Sequence, residues 1–199
     1  MRTAYLLTCD SNSPRAIHSF TLLQKIGFDV IFVNAIKNSD KVLSNKLSMI
    51  SIYNTIINNN DNDDSWYYIF EDDINIIEPI SIDEIILYED IASQFFYLGV
   101  CKYHEEKILL HESTINNKPV YIMTDNVRGL HAIGISKIGA KNLTHFSQYY
   151  EKEPYMDKIL EEFSRIIHPL CVRYDLQSMI YGHRGIFFQD RFSFPSSIS

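Results

Sequence analysis

Trp66–Phe70 is a run of five aromatic and β-branched residues that passes directly into Glu71, Asp72 and Asp73. Such residues favour a pleated backbone, so the run reads as a strand. It has no polar alternation, which implies cover on both faces, as in a parallel sheet between helices. Ligands of open α/β sheets sit beyond the carboxyl ends of such strands. The three acids fall there. In an extended backbone Glu71 and Asp73 share one face and Asp72 points to the other. Two oxygen donors at i and i+2 can hold a divalent cation directly or through water. An acidic surface turn would carry the same letters, so the rest of the chain has to decide.

Upstream, Tyr5–Thr8 reads as a first strand and Cys9–Asn12 as a loop. Ser13 is a good N-cap and Pro14 suits the first helical position. Ile17, Phe20, Leu23 and Ile26 then predict an apolar helix face, and Gly27 marks its end. Asp29–Val33 is a second strand. Right-handed crossover sets the two strands parallel. Lys46–Asn58 predicts a second helix with Leu47, Ile50, Tyr53 and Ile57 inward, followed by a polar loop whose Asp61, Asp63 and Asp64 are solvated. Up to Asp73 the chain therefore spells βαβαβ, the layout of a nucleotide-binding half-domain.

Downstream, the patterns predict a helix over Ile82–Ser93 and a strand over Phe95–Val100. Lys107–His111 and Val120–Thr124 read as arms flanking Asn116-Asn117. Ala132–Ile135 is a short strand, and Ser136 caps a helix to about Phe146. A helix over Met156–Ile167 turns Ile159, Leu160, Phe163 and Ile166 or Ile167 inward. Leu170–Arg173 and Ile186–Phe188 are late strands, and Phe192–Ser199 is a polar tail. No repeat or composition break divides the chain, so residues 1–199 read as one α/β domain.

The 199 residues suffice for a sizeable core. A net charge of -7 argues against a nucleic-acid partner, which calls for a basic face. Cys9, Cys101 and Cys171 are odd in number and widely spaced. They suit neither a zinc site nor a disulfide framework, and predict free thiols and a cytoplasmic protein. The early apolar run Ala4–Leu7 is too short for a signal-peptide core, and no stretch approaches a transmembrane segment.

Several familiar chemistries are absent. Gly134 and Gly139 have the spacing of a phosphate loop, but the following Ala140-Lys141-Asn142 displaces the lysine and lacks the hydroxyl. This segment reads instead as a strand–helix junction where Gly139 and Ala140 permit close packing. His104-Glu105-Glu106 has no histidine at i+4, so it is not a metalloprotease helix. No Gly-x-Ser-x-Gly elbow occurs, and only Cys9 paired with a distant histidine would leave no local trace. His183, flanked by Gly182 and Gly185, is either an exposed loop residue or a metal ligand. Asp157 either favours a helix dipole or serves as a base at a helix start. Gln189-Asp190-Arg191 is a salt-bridged edge or an anion clamp through Arg191.

Taken together, these blocks resemble a family. Tyr68-Ile69-Phe70-Glu71-Asp72-Asp73-Ile74 resembles the Glu-Asp-Asp signature of the family 25, lipopolysaccharide-type glycosyltransferases. Leu98-Gly99 resembles their following Leu-Gly, and His131–Ala140 their His-Ala-Tyr-x-Ile-Ser-x-x-Gly-Ala block, with Ile133 at the tyrosine position. Met156-Asp157 resembles a later aspartate, and Gln189-Asp190-Arg191 with Ser196–Ile198 their C-terminal ending. The order holds along almost the whole chain, although an Arg-rich start is reduced to Ser13-Pro14-Arg15. Related large-DNA-virus capsid glycosyltransferases have a similar compact domain.

The resemblance implies a GT-A fold, with a mixed, mostly parallel central sheet flanked by helices. It implies a metal-dependent, inverting transferase with a UDP-sugar donor, Mn²⁺ or Mg²⁺, and a glycan or glycoprotein acceptor, acting in the cytoplasm (of a host cell if viral). Asp73 would be the principal metal ligand, Glu71 would assist, and His183 would be a third candidate. Thr8, Cys9, Asp10, Arg15, Asp72 and Arg191 would meet the nucleotide, and Asp157 would be the base. The alternatives are a catalytically inactive nucleotide-sugar-binding domain and, more remotely, a two-metal nuclease or phosphatase.

Overall fold

The computed structural model describes residues 2–101, 108–124, 128–179 and 182–194, with the backbone alone over 108–112. His104-Glu105-Glu106, Lys107, the Ser196–Ile198 block and the end of the polar tail lie outside these residues.

The chain begins β1 (Arg2–Thr8), α1 (Pro14–Ile26), β2 (Phe28–Asn34), α2 (Lys41–Asn58), β3 (Trp66–Glu71) and β4 (Ile74–Ile76). Next come α3 (Ile82–Glu89), β5 (Phe95–Cys101), β6 (Ile108–Ile115), β7 (Lys118–Met123), β8 (Arg128–Ser136) and α4 (Lys137–Ser147). It closes with α5 (Met156–Ile167), β9 (Leu170–Cys171), β10 (Arg184–Gly185) and β11 (Phe187–Gln189). One sheet runs β2-β1-β3-β8-β5-β9-β7-β6, with β10 on β5, and a small second sheet pairs β11 with β4. β1 is parallel to both β2 and β3, as the βαβαβ reading requires. β5 and β9 are also parallel, and β8 runs antiparallel between β3 and β5. The architecture is an α/β fold with a mixed central sheet flanked by helices.

Both faces of the sheet are covered. Tyr5, Leu7, Tyr67 and Ile69 meet α2, α4 and α5 on one side. Their strand neighbours Ala4, Leu6, Tyr68 and Phe70 meet α1 and α3 on the other. This is the period-two alternation of a strand with a core on each face.

The caps follow the sequence. The Ser13 side chain accepts from Ala16 N, and Gly27 ends α1 at a φ of 115°. Ser136 accepts from Gly139 N at the start of α4. A Cβ on Gly139 would lie 2.3 Å from Gln94 O, so close packing explains this glycine. Asn116 and Asn117, at φ 50° and 61°, form the turn between β6 and β7.

The helix faces of α1 and α2 differ from expectation. Ile17 is 53% exposed, because α1 instead buries Ala16 and Ser19; the Ser19 hydroxyl donates to Asp72 O at 2.9 Å, so a polar contact sets the face. α2 starts at Lys41, where the Asp40 side chain accepts from Val42 N and Leu43 N. It buries Met49, Ile52, Tyr53 and Ile56, with Ile57 packed at their edge, while Leu47 and Ile50 lie outside this cluster. The turned face also buries Lys46, whose Nζ donates to the carbonyls of Tyr150, Glu151 and Glu153. The α5 face agrees with expectation: of the two alternatives Ile167 packs on the core, and Ile166 is 65% exposed.

α3 ends at Glu89 rather than Ser93. Glu89 is buried where it accepts from Arg2 and from the Tyr68 hydroxyl. Gly99 has a different duty. A Cβ there would lie 2.1 Å from Phe187 O, so only glycine lets β11 cross so close to β5. That crossing carries the last strand to the acidic turn after β3. Among the described residues no helix is long and apolar enough to cross a membrane.

Candidate functional site

A cavity of about 820 Å³ opens beyond the carboxyl ends of β1 and β3. Thr8, Cys9 and Asp10 reach it from the end of β1, and Arg15 from the first turn of α1. Glu71, Asp72 and Asp73 form part of its wall, Asp157 enters from the first turn of α5, and Arg191 follows β11. Nine of the ten residues singled out from the sequence thus border one space; His183 does not.

The acids do not keep the alternation of an extended strand. The chain turns at Asp72-Asp73 before β4, so all three border the cavity. Asp72 is buried and firmly held: Arg15 Nη2 donates to its Oδ1, and Thr8 Oγ1 donates to its Oδ2 at 2.5 Å. It ties β1, α1 and the acidic turn together.

Glu71 and Asp73 are held differently. Glu71 Oε1 accepts from Asn45 Nδ2 at 3.3 Å and Oε2 from Gln189 Nε2 at 2.7 Å, both uncharged amides. Burial, then the charges of Asp73 and Asp157, push the Glu71 carboxyl well above the usual carboxylate range. Burial also raises Asp73, despite the opposing pull of Arg15. Asp73 Oδ1 is buried without a hydrogen-bond partner. Burial pushes Asp157 up to about 6, against the pull of Arg128 and Arg191.

Charge is therefore disfavoured on three acids around one cavity. Such groups either keep protons or take up a cation. Hard carboxylate oxygens suit Mg²⁺, Mn²⁺ or Ca²⁺. The unpartnered Asp73 oxygen is the atom most in need of one, so the donor set fits a divalent ion. Among the described residues no group of three or more His, Cys, Asp or Glu side chains is placed to hold a metal ion. An ion held by two carboxylates would complete its coordination from a ligand and water, as Mg²⁺ commonly does with phosphates.

His183 is buried rather than exposed. Gly182 and Gly185, at φ 65° and 102°, fold its loop inward. Its Nδ1 accepts from Gln189 N at 3.0 Å, so the neutral ring carries its proton on Nε2. That nitrogen lies 3.8 Å from Cys101 Sγ and has no lone pair for a metal. His131 stacks on it at 5.4 Å between ring centroids and approaches Phe187 O through Nε2 at 3.3 Å. Burial lowers His183 to about 4 and His131 to about 3, and raises the Cys101 thiol to about 12. The cluster is uncharged at neutral pH. Cys9 is exposed, Cys101 and Cys171 are buried, and all three are free thiols.

Sequence reasoning missed Lys37, Lys41 and Asn45, which also line the cavity. A signal was present, because β2 lies beside β1 in parallel and its following loop must border the same crevice. Starting α2 at Lys46 hid that loop inside an unassigned gap.

Fold and site together define an α/β protein with an acidic floor and basic side chains around one cavity. No family model matches the chain, and no curated protein matches it.

Proposed function

We propose that the protein is a metal-dependent, inverting glycosyltransferase of GT-A type, moving a sugar from a UDP-sugar donor to a glycan or protein-linked acceptor. One observation carries the reading. Glu71 and Asp73, with their charge disfavoured, share a cavity at the strand ends with Arg15, Arg191 and Asp157. Glu71 and Asp73 would hold a divalent cation, and the basic side chains would hold a diphosphate. The block resemblance adds the sugar to the nucleotide.

In this reading Glu71 and Asp73 would hold Mn²⁺ or Mg²⁺. If bound there, such an ion would supply Lewis-acid stabilisation of the departing diphosphate's charge. Arg191, Lys37 and Lys41 take the outer phosphate oxygens. Arg15 fixes Asp72 and presents the rest of its guanidinium to the nucleotide. Asp157 removes the acceptor hydroxyl proton as that oxygen attacks the anomeric carbon opposite the leaving diphosphate. A carboxyl raised to about 6 is close to the pH at which a general base works best.

The test is a panel of nucleotide-sugars screened for thermal stabilisation with and without Mn²⁺, followed by radiolabel transfer to an acceptor mixture. Stabilisation by one UDP-sugar only with Mn²⁺, and label transfer from it, is the expected result. Binding without transfer to any acceptor would mark a catalytically inactive nucleotide-sugar-binding domain. No stabilisation by any donor would remove the proposal.

A further inference from the structure

We infer that Gln189 is the positioning residue that holds Glu71 ready for a divalent cation and links it to Arg191 on the anion side of the cavity. The inference rests on the metal role proposed for Glu71.

Gln189 is buried at the end of β11. Its Oε1 accepts from Arg191 Nη2 at 3.0 Å, and its Nε2 donates to Glu71 Oε2 at 2.7 Å. These contacts settle the amide orientation. A guanidinium has only donors and requires the oxygen, while a carboxylate requires the nitrogen.

The backbone is equally constrained. Gln189 pairs with Ile74, immediately after the acidic turn, and its N–H donates to His183 Nδ1. The next residue, Asp190, donates its N–H to Asp73 O at 2.7 Å. One short segment therefore grips the Glu71 side chain and the Asp73 backbone together. Behind it, Cys101 Sγ lies 3.8 Å from His131 Nδ1, His183 Nε2 and Gln189 Oε1.

The uncharged character of this support matters. Both donors to Glu71, Gln189 and Asn45, are amides, so they aim the carboxylate without cancelling its charge. A lysine or arginine in either place would supply the counter-charge from within. Outer hydrogen-bond partners of this kind orient ligands and raise metal affinity, and losing one typically weakens binding by roughly 10- to 100-fold.

The experiment measures Mn²⁺ binding to the full chain by electron paramagnetic resonance, without substrate, and UDP binding at saturating Mn²⁺ by calorimetry. Gln189→Met keeps length and volume but removes both side-chain bonds. It should bind Mn²⁺ about 10-fold more weakly or worse, and bind UDP more weakly even at saturating Mn²⁺ because Arg191 has lost its anchor. If that variant does not fold, Gln189→Asn, which withdraws the amide by one methylene, should show the same two losses. A folded variant with wild-type Mn²⁺ affinity overturns the inference, even if its Tm has fallen. Wild-type protein that binds no Mn²⁺ overturns the proposed metal role and this inference with it.

Discussion

Replacing Glu71 by glutamine should stabilise the metal-free protein while removing its response to metal. The folded-state pKa of Glu71 is raised, to about 8, chiefly by burial and then by Asp73 and Asp157. A raised carboxyl contributes stability that is fully present below the unfolded value of about 4.5 and lost as pH rises through the folded value. The full shift would amount to about 4–5 kcal/mol at alkaline pH. Glu71 is only half-buried and faces cavity water, which cuts this to about 2 kcal/mol. Glutamine also mismatches one of the donors Asn45 and Gln189, at about 1 kcal/mol. The net gain is about 1 kcal/mol near pH 8, or about 2–4 °C in Tm for a chain of this size, and it disappears by about pH 5. Thermal melts from pH 5 to 8.5 in chelator and in Mn²⁺ test this. In chelator the variant should melt higher at alkaline pH, and Mn²⁺ should raise the wild type alone. A variant less stable than wild type near pH 8 in chelator, or equally stabilised by Mn²⁺, would refute the argument.

Arg15→Ala should reduce both nucleotide affinity and stability, the latter by about 2–3 kcal/mol, because it strands the buried Asp72 carboxylate; urea unfolding and UDP titration measure the two losses, and unchanged unfolding would count against the clamp. Asp157→Asn should leave Mn²⁺ and UDP binding nearly intact and lower kcat by roughly two orders of magnitude or more, as loss of a general base does; radiolabel transfer decides, and retained turnover would make Asp157 a helix-start residue only. His131 and His183 have folded values lowered to about 3 and about 4 by burial, so their contribution is present above the unfolded value of about 6.5 and lost as pH falls. In the Glu71→Gln background, Tm should therefore drop between pH 7 and 5, and a flat profile would contradict the neutral histidine pair.

Much of the first half of the fold was legible because its signals are local. Ser13, Pro14 and Gly27 bound α1 through backbone chemistry that needs no tertiary partner. The faces of α1 and α2 were less legible because buried polar residues turn them. Ser19 and Lys46 add nothing to an apolar periodicity, and their burial depends on Asp72 O and the carbonyls of residues 150–153 that receive them. The site converged from sequence because parallel strands put their carboxyl ends, and the residues that follow, at one edge. His183 behaved otherwise. Its tautomer depends on the backbone of Gln189, whose position depends on the close crossing at Gly99. No spacing in the sequence records that chain of contacts. The role of β9 was equally hidden, since two residues join β5 to β7 by pairing alone.

The most direct measurement is a calorimetric titration of UDP into wild-type protein and Asp73→Asn, each with Mn²⁺ and with chelator. The substitution keeps the main-chain contact from Asp190 N to Asp73 O, so the variant should fold normally. It replaces the carboxylate whose Oδ1 is buried without a partner. UDP should bind the wild type only when Mn²⁺ is present and should not bind folded Asp73→Asn in either condition. Equal UDP affinity in chelator, or Mn²⁺-dependent affinity retained by Asp73→Asn, would contradict a cation held between this acidic turn and a nucleotide diphosphate.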